Sequence, residues 1–127
     1  MAPFTFHYTG IRVRDLDRSI QFYTGVLGMR LEWRMKIRRQ HGEVAVLKSP
    51  RGRQLLELNA YEPGSKYATP YVPGEGLDHL AFRCADHAKA IRELRQKGVK
   101  IVDRYVGKRG RGWFYLEDPD GNWVEID

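Results

Sequence analysis

The chain of 127 residues carries 22 Lys and Arg against 16 Asp and Glu, a formal net charge of +6, with 42% hydrophobic residues and 13 glycines. This is one domain's worth of polypeptide with enough apolar side chain for a core, which excludes a disordered segment and leaves scope for a dimer interface to add stability. A single cysteine, Cys84, excludes an intrachain disulfide framework and a thiolate-rich metal site, and no run approaches the roughly 18 apolar residues of a membrane span.

Residues 8–14, YTGIRVR, read as a strand. DLDRSIQFYTGVLG then switches to a helical period, with Leu16, Ile20, Tyr23 and Leu27 about one turn apart, Asp15 placed to cap the first turn and Gly28 to stop the helix. In LEWRMKI, Leu31, Trp33, Met35 and Ile37 alternate with charged residues; VAVL and QLLELN follow, the last two joined by SPRGR, so residues 31–59 predict three antiparallel strands. Residues 61–76, rich in Pro, Gly and Tyr, form a connector without a period. The pattern then restarts: DHLAFRC as a strand, ADHAKAIRELRQKG as a helix using Ala90, Ile91 and Leu94, VKIVDRYV as a strand, and GWFYLEDPDGNWVEI as two strands around the tight turn Asp118-Pro119-Asp120-Gly121. Cys84 is expected as a buried structural thiol, and Trp33, Trp113, Trp123 and Phe114 as core rather than pocket.

The basic residues gather in RMKIRR (34–39), RGR (51–53) and KRGR (108–111), each at a strand end or hairpin. Solvated faces account for them, and an anionic substrate is compatible with the excess. With no reading helix and no aromatics between the basic residues, neither a nucleic-acid partner nor a membrane partner is expected. A soluble, cytoplasmic protein is.

The second half overlays the first at a shift of 71 residues: Tyr8 falls on His79, Gly10 on Ala81, Ile11 on Phe82, Arg12 on Arg83, Val13 on Cys84, Asp15 on Asp86 and Ile20 on Ile91. Two βαβββ modules, about 5–60 and 77–127, therefore compose one domain. Strand alternation sets Ile11 and Val13 toward the following helix, with Thr9 and His7 on the same side. Tyr8, Gly10 and Arg12 take the opposite face, as do His79, Ala81 and Arg83 in the second module. Tyr8 rather than the neighbouring His7 is then the counterpart of His79.

Glu57, inside QLLELN, and Glu125, inside NWVEID, are carboxylates in short apolar strands at matching late positions. Burial is costly for such a group unless it is paired or holds a metal. Together with His79 they offer one nitrogen and two carboxylates, suited to nickel, cobalt, zinc, iron or manganese. Solvent-facing glutamates and a hydrogen-bonded core histidine are the alternative reading of the same residues.

TGIRVRDLDRSIQFYTGVLGM, the ELN segment, DHLAF and the terminal DPDGNWVEI occur in the order and spacing of the vicinal oxygen chelate superfamily, and the chain resembles its small glyoxalase I-like members. The resemblance covers nearly the whole chain. It implies an α+β fold in which paired βαβββ modules form a curved open mixed sheet around a central cavity, commonly as a homodimer. It also implies four ligand positions, which here hold Tyr8, Glu57, His79 and Glu125. The first departs from the histidine or glutamine usual in the family. Tyr8 would ligate as phenolate or adjoin the ion and donate a hydrogen bond, and its presence argues against a ring-cleaving dioxygenase, which needs two histidines and a glutamate.

The expected function is that of a metal-dependent lyase or isomerase acting on a small vicinally oxygenated substrate through a metal-stabilised enediolate, with one divalent ion per site and no organic cofactor. Glu125 or Glu57 would shuttle the proton, and Arg12 would hold a substrate carboxylate. Ala60 and Tyr61 after Asn59 depart from the family's glutathione-binding pattern. The alternatives are a metal-free small-molecule-binding protein of the bleomycin-resistance type, and a dioxygenase or epimerase with an altered first ligand.

Overall fold

The computed structural model describes residues 3–110 and 112–127, so Arg111 of the KRGR cluster lies outside the described residues. The chain divides into two compact units at Pro70/Tyr71, within the Pro-, Gly- and Tyr-rich stretch. Each has its own four-stranded mixed sheet.

The first unit runs β1 (Thr9–Arg12), α1 (Leu16–Gln21), β2 (Arg30–Ile37), β3 (Gly42–Lys48) and β4 (Leu55–Tyr61). The strand order is β1-β4-β3-β2, with β1 parallel to β4 and the other pairs antiparallel. A parallel pair needs a long crossover, and here α1 with the two following strands supplies it. The Asp15 carboxylate accepts from the Arg18 amide at 3.0 Å, as expected for the first cap. The helix itself is shorter than the apolar period predicts. Over Phe22–Val26 it widens into a π-turn, within which the Thr24 hydroxyl donates to the Ile20 carbonyl at 2.6 Å. Gly28 ends the segment at φ +73°, where a Cβ would be strained. Ile11, Val13, Leu16, Tyr23, Ala45, Leu47, Leu56 and Leu58 are buried, and α1 packs on β3 and β4. The odd-numbered residues of β1 thus face the helix, as alternation requires.

The second unit repeats the plan: β5 (Leu80–Phe82), α2 (His87–Gln96), β6 (Ile101–Val106), β7 (Gly112–Glu117) and β8 (Trp123–Ile126), in the order β5-β8-β7-β6. Asp86 caps α2 through the Lys89 amide at 3.0 Å, matching Asp15. Ile91 and Leu94 of α2 are buried with Phe114, Leu116, Val124 and Ile126, and the His87 ring meets the Phe114 ring edge-on at 5.7 Å. The DPDG turn is held by Asp118, whose Oδ1 accepts from the amides of Asp120 (2.9 Å) and Asn122 (2.8 Å) while Oδ2 accepts from Asn122 Nδ2 (2.9 Å).

Three expectations change. Trp33, Trp113 and Trp123 are 45%, 41% and 41% exposed, so only Phe114 of the four aromatics belongs to the core. The tryptophans lie on the strand faces opposite the helices, where alternation places them. Cys84 is half-buried rather than buried, since it falls just after the three-residue strand β5; partial burial pushes its thiol pKa up. Part of the basic run 34–39 is paired internally: Arg34 bonds Asp17 of α1 and Glu43 of β3, each at 2.6 Å.

Candidate functional site

The β1–β4 register sets Gly10 directly opposite Glu57, and the β5–β8 register sets Ala81 directly opposite Glu125. Equivalent positions of the two modules therefore hold the two glutamates, each on the sheet face turned away from its helix and beside a small residue.

In the first module a Cβ added to Gly10 would lie 3.9 Å from Glu57 Oε1, 3.9 Å from the Tyr8 ring and 3.3 Å from Asn59 Nδ2. Gly10 is thus the floor around which Tyr8, Glu57 and Asn59 gather. Tyr8 precedes β1 and is 44% exposed. His7 is exposed and stacks edge-on against Tyr8, with ring centroids 5.1 Å apart. Tyr61, two residues beyond Asn59, has its phenol pKa pushed up by burial and then by the nearby Glu57 charge. Arg12 Nη1 donates to the Tyr67 carbonyl at 3.1 Å and to Thr69 through both its Oγ1, at 2.9 Å, and its carbonyl. It therefore ties the middle of the Pro- and Tyr-rich stretch to β1.

In the second module His79 Nε2 lies 3.0 Å from Glu125 Oε2, and His79 Nδ1 lies 2.7 Å from Asp78 Oδ2. Tyr115 donates its hydroxyl to the same Glu125 Oε2 at 2.8 Å, and its ring meets that of His79 edge-on at 5.6 Å. The hydrogen bond to Glu125, followed by partial burial, pushes the Tyr115 phenol up to about 12. Glu125 is consequently a paired carboxylate, and its low exposure does not by itself demand a metal. A neutral imidazole carries only one N–H, yet both nitrogens of His79 face carboxylates. A second proton or a cation is needed to satisfy both contacts.

Beside this cluster Pro73, Gly74, Asp78, Asp103, Trp113, Tyr115, Gly121 and Trp123 line a cavity of about 530 Å³. Tyr105 stacks on Trp113 at 4.5 Å, and Trp123 packs against Tyr115 at 5.1 Å. Among the described residues the lining contains two aspartates and no lysine or arginine, against the sign of the whole chain.

The donors fit a divalent ion in kind. The 3.0 Å between His79 Nε2 and Glu125 Oε2 is an ordinary hydrogen-bonding separation, and it is also compatible with adjacent ligands on an ion with bonds of about 2.1 Å. A carboxylate on the far nitrogen of a ligating histidine is the usual means of fixing its tautomer, and Asp78 occupies that place. Among the described residues, however, no group of three or more His, Cys, Asp and Glu side chains is arranged so that all could hold one metal ion. Within the first module Tyr8 and Glu57 both border the space above Gly10, and within the second His79 contacts Glu125 directly.

Sequence reasoning missed Tyr115 and Asp78. Tyr115 was legible as a polar-tipped residue alternating with the apolar Phe114 and Leu116. Asp78, next to His79, offered no periodic signal at all.

Two repeated mixed sheets, each with a glutamate opposite a small residue of its parallel neighbour, define a paired-βαβββ protein. The model of the Glyoxalase/Bleomycin resistance protein/Dioxygenase superfamily matches residues 5–126, and the chain belongs to that family. It is 33% identical over 122 residues to the uncharacterized protein YwbC of Bacillus subtilis, covering 94% of this chain and 93% of the relative. It is also 33% identical over 132 residues to a probable lactoylglutathione lyase of Synechocystis, covering 94% and 91%. Among solved structures, the trypanothione-dependent glyoxalase I of Leishmania major superposes with a TM-score of 0.77 at 31% identity, covering 98% of this chain and 86% of that one.

Proposed function

We propose that this chain is a metal-dependent, glyoxalase I-like lyase or isomerase that acts on a small vicinally oxygenated substrate through an enediolate. The observation that carries the reading is the His79–Glu125 pair, set at a spacing compatible with adjacent metal ligands and backed by Asp78. Likeness to lactoylglutathione lyases adds support. In this reading His79, Glu125 and Glu57 hold one divalent ion, of nickel, cobalt, zinc, iron or manganese type, and Tyr8 ligates or adjoins it. The chain works as one domain of two modules, in the cytoplasm, as a homodimer. Exposed apolar side chains on the edge strands, Leu31, Trp33 and Met35 on β2 and Tyr105 and Val106 on β6, favour such an interface.

A bound divalent ion supplies Lewis acidity toward two neighbouring substrate oxygens. One glutamate removes a proton from the carbon beside the carbonyl, leaving the electron pair in the enediolate, and returns the proton to the adjacent carbon. The substrate is isomerised and nothing is oxidised. Arg12 would hold a substrate carboxylate, in competition with the carbonyls of Tyr67 and Thr69. The acidic cavity of the second module is unsuited to that carboxylate, which leaves it to the first module.

The cavity favours a second reading, in which the protein captures a small molecule on Trp113, Tyr115 and Trp123 without metal. Metal analysis separates the two. After incubation with Ni²⁺ or Co²⁺ and desalting, stoichiometric ion is expected in the parent, and strongly reduced ion in His79→Ala and Glu57→Gln. Metal-free parent protein would remove the enzyme reading in favour of the binding protein.

A further inference from the structure

The two glutamates occupy equivalent register positions, yet their surroundings differ. Opposite Glu57 on β3 stands Val46; opposite Glu125 on β7 stands Tyr115. On the parallel side each faces only a glycine or an alanine. Glu57 thus has no side-chain donor directly across either strand, whereas Glu125 receives the Tyr115 hydroxyl at 2.8 Å on the oxygen that lies 3.0 Å from His79. The same phenol ring abuts the imidazole at 5.6 Å, and the Trp123 ring lies 5.1 Å from it.

We propose that Tyr115 is a positioning residue of the second module, which holds the Glu125 carboxylate in its rotamer beside His79 and thereby makes the two candidate metal-binding glutamates unequal, Glu125 anchored and Glu57 unanchored. The inference rests on the metal-site reading above. A long acidic side chain has several rotatable bonds, and a ligand left unrestrained loses rotamer freedom when it binds. Tyr115 meets that cost during folding, since its position is fixed by the β7–β8 ladder and by ring contacts with His79 and Trp123. Partners of this kind, one step removed from an ion, typically alter metal affinity by about 10- to 100-fold.

The test is Co²⁺ affinity and the visible spectrum of the full chain, carried through two double-mutant cycles. Tyr115→Phe keeps the ring against His79 and removes only the hydroxyl. It is expected to weaken Co²⁺ binding by about tenfold or more and to change the ligand-field bands. The same substitution is expected to cost almost nothing further in a Glu125→Gln background and its full effect in a Glu57→Gln background. Unchanged affinity in Tyr115→Phe, or an equal loss in both backgrounds, overturns the proposal while leaving the metal site standing. A parent protein that binds no Co²⁺ overturns both. Should Tyr115→Phe fold poorly, the tyrosine absorbance of the metal-free Glu125→Gln protein decides instead. A difference spectrum reporting a phenol that has lost its carboxylate acceptor supports the anchor, and an unaltered tyrosine spectrum rejects it.

Discussion

His7 and Tyr8 are neighbours in sequence with different prospects, and strand parity is the reason. Tyr8 shares the Gly10 and Glu57 side, within van der Waals reach of the space above Gly10, while His7 is exposed and touches Tyr8 only at the ring edge. His7→Ala is therefore expected to leave Co²⁺ binding unchanged and His79→Ala to abolish it, as read by equilibrium dialysis. A phenol must lose a proton with a reference pKa of about 10 to ligate, whereas a neutral imidazole is available at pH 7. Tyr8→His is accordingly expected to tighten binding and to raise turnover of the methylglyoxal–glutathione hemithioacetal above that of the parent. A weaker metal complex in that variant would place Tyr8 outside the ligand set. The tyrosine at position 115 could not be assigned from sequence in the same way, because its role depends on which residue lies across from it.

At the scale of elements, helix α1 and the strand pair β2–β3 are joined through Arg34. Its guanidinium bridges Asp17 and Glu43, and the hydrogen bond to Glu43, which outweighs the opposing effect of desolvation, holds the Glu43 carboxyl below its usual range. A carboxyl with a depressed folded-state pKa adds stability that is present above its unfolded value of about 4.3 and is lost as pH falls through the folded value. Thermal midpoints are expected to fall more steeply below that pH in the parent than in Glu43→Gln; parallel curves would show that the bridge contributes nothing. The turn after β7 depends on Asp118, which is buried and accepts from two amides and one side-chain amide. Asp118→Ala leaves those donors without their acceptor and is expected to cost about 2–4 kcal/mol in urea unfolding. Gly112, at the start of β7, has no space for a side chain: a Cβ there would lie 2.2 Å from the Tyr105 carbonyl oxygen. Gly112→Ala must displace β6, and a loss of stability is expected in the same measurement.

For the whole molecule, the repeat carried most of the fold. The order strand, helix, three strands was readable twice because periods of two and 3.6 residues alternate cleanly, and both caps, Asp15 and Asp86, fell where the first turns begin. Less visible were the π-turn at Phe22–Val26, which no residue pattern marks, and the exposure of three tryptophans, which composition counts as core. Those tryptophans bear on assembly. With Trp33 and Met35 about half exposed on β2, and Tyr105 and Val106 on β6, sedimentation is expected to give twice the mass of one chain. Trp33→Glu together with Met35→Glu is expected to shift that equilibrium toward monomer, since a charge desolvated at an apolar interface is costly. Unaltered sedimentation would move the interface elsewhere. No helix among the described residues is long and apolar enough to cross a membrane.

The sequence by itself determined the two modules, their element order, Tyr8 and His79 as equivalent positions and Glu57 and Glu125 as matching late-strand positions, because all of these follow from local periodicity and from one internal comparison. Only the tertiary structure decided what each group meets there: Asp78 and Glu125 on the two nitrogens of His79, Tyr115 on Glu125, Arg12 on the Tyr67 and Thr69 carbonyls. Strand alternation specifies a side. Partners across a ladder are set by register and by the packing of loops distant in sequence, and no short-range pattern encodes those.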